Sequence, residues 1–363
     1  MLSKLISSKI SKISKMTKFM STRKAKIIDV HTHMYYPNYV NILKNRKNIP
    51  KIINVEGQDR LVILPNEDNT GRPIGKEYWD VNSKIKFMDS HNIDISIISL
   101  ANPWLDFLSN DENPEGTSNT LNKDLNNMCT DSNGRLYGYG ILPMNSITSG
   151  LNELKNISKL EHLRGIIIGT SGYGKGLDDI NMEPIYQELE KNQLILFVHP
   201  HYGISGENLS KYGHSLELAL GFPFETSISI SKLILSGVLD RYPNLKVLVS
   251  HSGGTLPYLS GRLDSCFKYE TNLAESLKKK PSDYLKDLYY DAIIYNDDCL
   301  ELLVKSVGND KIMFGTDHPF FPPINNNDNS WKSTTKIQNI ITNLENKTSN
   351  KIFFENAKNL FNL

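Results

Sequence analysis

The segment KIIDVHTH at residues 26–33 joins a short apolar, β-branched run to two histidines that lie two positions apart. Successive side chains of a strand point to opposite faces, so His31 and His33 project from the same face. Imidazole nitrogens bind zinc and other borderline metals well. The segment therefore predicts a first strand that ends in half of a metal site, although two of nine histidines can also lie this close by chance.

Seven further apolar runs follow, separated by longer segments of helical periodicity. The runs predict strands at 94–101, 136–142, 164–170, 194–200, 245–251, 288–295 and 311–317. Helical patterns cover 80–91, 119–131, 148–161, 182–192, 225–240, 256–269, 297–307, 332–345 and 351–361. Continuous apolar runs are typical of parallel strands that are covered on both faces. The alternation predicts an α/β fold, a (β/α)8 barrel of the TIM type, with an open doubly wound sheet as the alternative.

Composition limits the class of protein. The chain has 363 residues, of which 39% are hydrophobic and 22% are charged, as is typical of a globular protein. A net charge of +1 argues against a nucleic-acid partner. The sequence has no run of about 18 apolar residues, so it predicts no membrane span. Cys129, Cys266 and Cys299 have no paired spacing, so we expect small core residues rather than disulfides or a thiolate metal site.

The first residues differ in composition from the rest of the chain. Residues 1–26 contain eight Lys or Arg and no acid. We divide the chain into a basic, disordered leader at 1–25 and a barrel domain at 26–363. A basic, Ser-rich leader resembles a mitochondrial transit peptide, whereas the excess of Lys over Arg favours a solvated tail. The expected localisation is therefore cytoplasmic, with mitochondrial import through the leader as the alternative.

One interval is far longer than an ordinary loop between a strand and a helix. It covers residues 34–79 and includes Arg72 and the pair Tyr78-Trp79. Long loops on a barrel often form lids or substrate walls. We therefore predict that this insertion after the first strand is lid-like.

Polar residues collect where the predicted strands end, which is where β/α barrels carry their chemistry. These strand-end residues are His31, His33, Asn102, His199, His251 and Asp317. The fourth strand ends in Gly169-Thr170-Ser171 and offers no Lys or Glu to bridge a second metal, which favours a mononuclear site. Gly253 and Gly254 are expected to let the backbone approach a ligand closely. His201 is expected to be pocket wall rather than a ligand.

Four short motifs carry a resemblance to a known family. HTH at 31–33, FVHP at 197–200, HSGG at 251–254 and GTDHP at 315–319, in this order and spacing, resemble the amidohydrolase superfamily. Within it they resemble the metal-dependent nonoxidative decarboxylases of the aminocarboxymuconate-semialdehyde decarboxylase family. The likeness runs from about residue 26 to the C-terminus. Longer segments are more similar still to uracil-5-carboxylate (isoorotate) decarboxylases, namely DVHTHMYYPNY, SLANPW, RGIIIGTSGYGKGLDD, HPHYG, LALGFPFET, HSGGTLP and MFGTDHPFFPP.

The resemblance implies a ligand set and a substrate site. One divalent ion, Zn²⁺ with Mn²⁺ as the alternative, would be bound by His31, His33, His199 and Asp317. His251 and Asp317 would be the catalytic acid/base pair. The substrate, a small carboxylate, would be contacted by Arg72, Asn102, Phe320 and, from the neighbouring subunit of a homodimer, Arg262.

Two departures leave the substrate open. The muconate-semialdehyde branch carries HPW and TDYP where this chain has His201 and His318. The candidates are therefore 2-amino-3-carboxymuconate 6-semialdehyde, an intermediate of tryptophan catabolism, and uracil-5-carboxylate. The same scaffold could also activate water to hydrolyse a lactone, ester or amide at one metal. A non-catalytic, metal-dependent binding protein is the remaining alternative.

Overall fold

A ring of eight parallel strands forms the centre of the protein. The computed structural model describes residues 26–63, 67, 71–201, 209, 212, 214–270, 276–323 and 330–363. The ring strands are β1 (Ile28–Met34), β5 (Ile95–Leu100), β6 (Leu136–Gly140), β7 (Leu163–Gly169), β8 (Ile195–His199), β9 (Lys246–Val249), β10 (Tyr289–Asp291) and β11 (Ile312–Met313). They pair in this order. Hydrogen bonds from Val30 N to Phe314 O (3.0 Å) and from Asp317 N to His31 O (2.8 Å) join the last strand to the first. The barrel is confirmed, and the open sheet is wrong.

Helices cover the outside of the ring. Their bounds are α1 (Pro37–Asn45), α2 (Val81–Ser90), α3 (Pro114–Asp131), α4 (Ile147–Ile157), α5 (Glu183–Lys191), α6 (Phe222–Leu235), α7 (Val238–Arg241), α8 (Leu256–Tyr269), α9 (Pro281–Tyr284), α10 (Asp297–Val307), α11 (Lys332–Thr342), α12 (Asn346–Asn350) and α13 (Asn356–Phe361). The helix expected at 225–240 is two helices, because Gly237 between them has a positive φ of 74°. That conformation ends a helix and is easily adopted only by glycine.

The barrel interior is filled from below, which leaves its carboxyl-terminal face for the site. Tyr139, Phe197 and Phe361 are fully or almost fully buried, with the ring of Tyr139 5.0 Å from Phe197 and 6.0 Å from Phe361. The Tyr139 hydroxyl donates to Val30 O at 3.0 Å. His31 packs edge-on against Phe197 at 4.9 Å. The first metal-ligating candidate therefore lies directly on the apolar core.

The insertion after β1 folds into a small unit of its own. It contains α1 and an antiparallel sheet of β2 (Lys51–Val55), β3 (Gln58–Val62) and β4 (Arg72–Pro73). Tyr35, Tyr39 and Tyr78 from this segment are buried. Its lid-like behaviour stays a prediction. The leader at 1–25 lies outside the described residues.

Two expectations about surface and core need comment. Cys129 is buried, but Cys266 and Cys299 are exposed, so the assignment of all three cysteines to the core is wrong. Both exposed cysteines lie on helices of the outer layer, α8 and α10, where one face meets water.

The helical stretch Glu217–Leu235 is long and apolar enough to cross a membrane by length and composition alone. It lies between β8 and β9 and buries part of its surface in the barrel, and core helices pass the same test.

Candidate active site

Side chains from four strand ends converge at the carboxyl-terminal face of the barrel. His31 Nε2 lies 3.0 Å from His33 Nε2 and 3.5 Å from Asp317 Oδ1. His33 Nε2 lies 3.2 Å from the same carboxylate oxygen. One ligand atom each from His31, His199, His251 and Asp317 lies within 4.8 Å of the others. The structure therefore brings together every residue that the sequence predicted to bind the metal, and His251 with them.

The second nitrogen of each predicted ligand histidine is held by the protein. His31 Nδ1 lies 2.6 Å from Asp291 Oδ2, and His199 Nδ1 donates to Pro200 O at 2.7 Å. His33 Nδ1 lies 2.8 Å from Ser99 Oγ, whose own hydrogen goes to the Thr32 carbonyl oxygen at 3.2 Å. Each Nδ1 therefore carries the proton, and each Nε2 keeps a free lone pair that faces the centre. Such bonds fix the orientation and tautomer of ligating histidines.

Unpartnered acceptor atoms test whether these residues suit a metal ion. In the described part of the chain, His199 Nε2 and Asp317 Oδ1 are buried and lack a hydrogen-bond partner. Buried acceptors without a partner are costly, and a cation would satisfy both. Three imidazole nitrogens and one carboxylate oxygen are a donor set typical of Zn²⁺, and Mn²⁺ accepts the same ligand types. The residues fit one divalent ion.

The buried charges near this centre indicate the charge of that ion. Three carboxylates, Asp29, Asp291 and Asp317, are 0–7% exposed, and Lys84 is the fully buried lysine among the described residues. With all four ionised, these groups carry a net charge of −2, and the buried Arg72 guanidinium beside the centre brings the total to −1, so the centre suits a positive ion. Burial lowers the pKa of Lys84 to about 7 and raises that of Asp29 to about 6, although neighbouring groups, above all Thr316, act against the rise.

The protonation states of His33, His199 and Asp317 suit metal binding, whereas for His31 burial acts to lower the pKa but Asp291 raises it above its usual value. Burial lowers the pKa of His33 to about 4, and burial together with the neighbouring imidazoles holds the pKa of His199 well below its usual range. Burial acts to raise the pKa of Asp317, but the neighbouring imidazoles of His251, His33 and His31 hold it well below its usual range. Neutral imidazoles and an ionised carboxylate are the forms that bind metal ions.

Asp291 was missed by the sequence analysis and supports two parts of the site at once. Its Oδ2 faces His31 and also accepts from His251 N at 2.9 Å, while Oδ1 accepts from Ser252 N and Ile293 N, both at 3.0 Å. A possible signal was its place as the one charged residue in the apolar run 288–295, at the end of the seventh strand. Asp291 links the metal centre to the backbone that carries His251.

That backbone has an unusual conformation. His251 and Ser252 have positive φ angles of 51° and 56°, which non-glycine residues adopt rarely. Gly253 and Gly254 do permit a close approach, but of the protein's own atoms. A Cβ on Gly254 would lie 2.3 Å from Pro223 O, and one on Gly253 would lie 2.8 Å from the Tyr290 ring. The expectation that these glycines make room for a ligand needs this correction, because packing within the chain already requires them.

Arg72 is a second buried cation beside the candidate metal centre. Its guanidinium carbon lies 5.2 Å from the Phe320 ring centre, and that ring lies 5.4 Å from His33. The Nε and Nη2 atoms of Arg72 are buried without a hydrogen-bond partner among the described residues. These two nitrogens form the edge that binds a carboxylate in a bidentate manner.

The remaining predicted substrate residues occupy different environments. Asn102 is half-buried, and its side-chain Nδ2 donates to His201 O at 2.8 Å. His201 stacks on Trp104 at 4.5 Å, and its place in the pocket wall stays a prediction. Arg262, by contrast, lies exposed on α8 and does not reach this chain's own site.

The barrel and the candidate metal site at its carboxyl-terminal face together define a class of protein. Comparisons with known proteins agree on its family. The sequence profile described as Amidohydrolase matches residues 28–363, so this chain belongs to that family. The crystal structure of Metarhizium anisopliae IDCase in apo form is 36% identical and has a TM-score of 0.87, covering 93% of this chain and 97% of that one. The predicted family is confirmed.

Two further relatives are more distant. The 2-amino-3-carboxymuconate-6-semialdehyde decarboxylase of Dictyostelium discoideum is 28% identical over 81% of each chain. A dihydroxybenzoic acid decarboxylase from a Polaromonas species, solved with bound manganese and the inhibitor 2-nitroresorcinol, is 22% identical. Its TM-score is 0.73, and the match covers 94% of this chain and 98% of that one. That last likeness concerns the fold alone.

Proposed function

We propose that this protein is a divalent-metal-dependent nonoxidative decarboxylase, a carbon–carbon lyase, acting on a small conjugated or heteroaromatic carboxylic acid. One observation carries the proposal. Among the described residues, two acceptors without a hydrogen-bond partner, on His199 and Asp317, suit a cation, and two guanidinium nitrogens of Arg72 without a partner, across the Phe320 ring, suit a carboxylate. The curated relatives bear decarboxylase names, which supports the carboxy-lyase class and does not favour the hydrolase alternative.

His31, His33, His199 and Asp317 would hold the ion, which we propose to be Zn²⁺, with Mn²⁺ as the alternative. When bound, a divalent ion supplies a Lewis acid that withdraws electron density from the substrate. Arg72 contributes the fork that fixes the substrate carboxylate, and the Phe320 ring supports that fork from one side. Together these residues orient the bond that breaks.

Breaking the bond to CO₂ leaves an electron pair on carbon, which takes up a proton. We assign the delivery of that proton to Asp317, with His251 as the group that passes a proton to it. His251 Nε2 lies 3.6 Å from Asp317 Oδ2, close enough for a proton to move after a small adjustment. Because Asp317 is ionised at rest, it carries the proton only transiently.

The orientation of the Asn102 amide indicates which kind of substrate group this side chain can bind. A carbonyl oxygen only accepts, so the atom facing His201 O is the NH₂ group, and Asn102 Oδ1 is left as an acceptor. An acceptor at this position favours a substrate with an N–H group. Both candidates carry one. The long motif matches and the likeness to IDCase lead us to propose uracil-5-carboxylate first and 2-amino-3-carboxymuconate 6-semialdehyde second.

The test offers each acid to purified, metal-loaded protein and follows the loss of its chromophore together with CO₂ release. We expect turnover of uracil-5-carboxylate, and none with an Arg72→Met variant at the same concentration. Release of acid from an ester or lactone without CO₂ from either candidate would contradict the proposal. Turnover of the muconate alone would place the protein in tryptophan catabolism.

We also propose a homodimer in which Arg262 enters the neighbouring site. Tyr258, Arg262 and Tyr269 lie on one face of α8, and the two tyrosines are 79% and 85% exposed. On α6, Phe224 and Ile228 are also exposed, at 39% and 52%. Apolar exposure on this scale often marks a protein interface. Sedimentation of wild type and of an Ile228→Asp variant tests the assembly, with a monomeric wild type contradicting it.

Localisation remains a proposal on the basic leader alone: cytoplasmic, with mitochondrial import as the alternative. Imaging of the full chain fused to a fluorescent protein at its C-terminus distinguishes the two. Deletion of residues 1–25 should leave a cytoplasmic signal unchanged and should abolish a mitochondrial one.

A further inference from the structure

Several buried polar atoms near the site have no hydrogen-bond partner in the described part of the chain. Those on His199 and Asp317 suit a metal, and those on Arg72 suit a carboxylate. A further atom of the same kind, the hydroxyl of Tyr295, has no role in the site described so far. Burying a hydroxyl without a hydrogen-bond partner is destabilising, which suggests that this hydroxyl has a partner only when a ligand is bound.

Tyr295 lies at the catalytic face of the barrel. It follows β10 by four residues, on the segment that begins with Asp291. Its ring meets Phe321 edge-on at 6.1 Å, and Phe321 is the chain neighbour of Phe320, which contacts His33. The Tyr295 ring therefore packs against the segment that carries Phe320.

The hydroxyl of Tyr295 is a donor at neutral pH. Burial raises its pKa above the usual value, and the negative charges of Asp317 and Asp291 raise it further. A protonated phenol in this position can donate a hydrogen bond to an oxygen atom that arrives with a ligand.

We propose that Tyr295 is a substrate-contacting residue whose hydroxyl donates a hydrogen bond to a second oxygen of the bound acid, separate from its carboxylate. The inference rests on the proposed function and narrows its substrate class to carboxylic acids that also carry a ring carbonyl or hydroxyl oxygen. Arg72 comes from the insertion after the first strand and Tyr295 from the end of the seventh strand. Two donors from separate elements would select an acid by the positions of its two oxygen groups.

The experiment compares Tyr295→Phe with wild type and with Tyr36→Phe. Tyr36 is a matched control, because its hydroxyl is also buried and unpartnered but lies near Asp124 and Cys129 on another side of the barrel. The probe is 5-nitrouracil, in which a nitro group replaces the carboxylate and cannot leave as CO₂. We expect Tyr295→Phe to weaken its binding by calorimetry about 5- to 10-fold, with metal content unchanged and Tyr36→Phe like wild type. The same change should appear in KM for uracil-5-carboxylate rather than in kcat.

A second measurement needs no ligand. Because the hydroxyl has no partner among the described residues, Tyr295→Phe should leave the urea midpoint unchanged or raise it. A lowered midpoint would show a structural partner and overturn the inference. So would unaltered binding of 5-nitrouracil, or an equal loss in Tyr36→Phe.

The two proposals fail in different ways. If wild type binds 5-nitrouracil but releases CO₂ from neither acid, the proposed function is wrong, while the binding comparison still decides the role of Tyr295. If wild type turns over uracil-5-carboxylate and Tyr295→Phe does so with the same KM, only this inference is wrong. Absence of both binding and turnover in wild type overturns the substrate class and the inference together.

Discussion

The candidate metal centre and the proposed substrate-binding region differ in how the polar atoms of their side chains are hydrogen-bonded. At the centre, the Nδ1 atoms of His31, His33 and His199 are all bonded within the protein, so folding alone sets the direction of each Nε2. In the substrate-binding region, two nitrogens of Arg72 and the Tyr295 hydroxyl have no partner among the described residues. Substitutions at the metal centre should therefore reduce metal content and activity together. Substitutions in the substrate-binding region should alter substrate affinity alone.

The largest expected effect comes from removing a ligand at the centre. His33→Ala takes one nitrogen from the donor set, so we expect loss of the stoichiometric metal and a fall in kcat/KM of about 1,000-fold or more. Elemental analysis and CO₂ release measure the two effects. His162→Ala is the control, because that histidine lies away from the site and contacts Thr130. A His33→Ala protein that keeps both metal and turnover would remove the basis of the comparison.

The sequence alone predicted much of the centre. Strand-end His31, His33, His199 and Asp317 could be found because the barrel rule assigns chemistry to those positions before any contact is known. Arg72 is different: the insertion that carries it has no periodicity that leads to the site, and only the family resemblance pointed to this residue.

The sequence carried a sign that Asp291 matters, but the contacts of the supporting residues could not be predicted from it. Asp291 and Lys84 act through contacts with residues far along the chain: Asp291 faces His31, and Lys84 Nζ lies 2.6 Å from His318 Nδ1. Neither spacing nor composition encodes such pairs. Tyr295 lies near the site because it follows the end of the seventh strand by four residues. The path of the chain over those four residues cannot be predicted from the sequence. These roles follow from three-dimensional packing.

A smaller effect at the centre is expected from the carboxylate behind His31. Asp291→Asn removes the charge that holds the His31 proton, and should lower metal affinity about 10- to 100-fold. Competition with a fluorescent chelator measures it. KM, determined at saturating metal, should change little. If metal affinity stays constant while KM rises, Asp291 belongs with the substrate region instead.

The substrate region is tested by Arg72→Lys, which keeps the charge but not the fork. A lysine cannot form two parallel bonds to a carboxylate, so we expect KM to rise about 10-fold or more with metal content unchanged. Steady-state kinetics with elemental analysis on the same sample separate the two regions. Co-loss of metal in this variant would show that the regions are not independent.

The smallest effect concerns Lys84, which belongs to the charge balance of the centre and lies away from the substrate region. Its pKa is about 7 in the fold because of burial, against an ordinary value of 10.5. Between these values the unfolded chain binds a proton that the folded chain does not, so stability should rise with pH from about 7 to 8.5, by at most about 1.4 kcal/mol per pH unit. Urea unfolding of the metal-free protein at several pH values measures this slope.

Lys84→Met isolates the contribution of that one group. Removing the amine should flatten the slope between pH 7 and 8.5, because Met does not titrate in either state. Lys305→Met is the control, since that lysine is exposed and pairs only with Glu301 nearby, and it should keep the wild-type slope. An unchanged slope in Lys84→Met would mean that the ammonium keeps its proton in the fold, held by the buried carboxylates. The metal-free centre would then carry its positive charge well above neutral pH, and the charge balance would not depend on this lysine's titration.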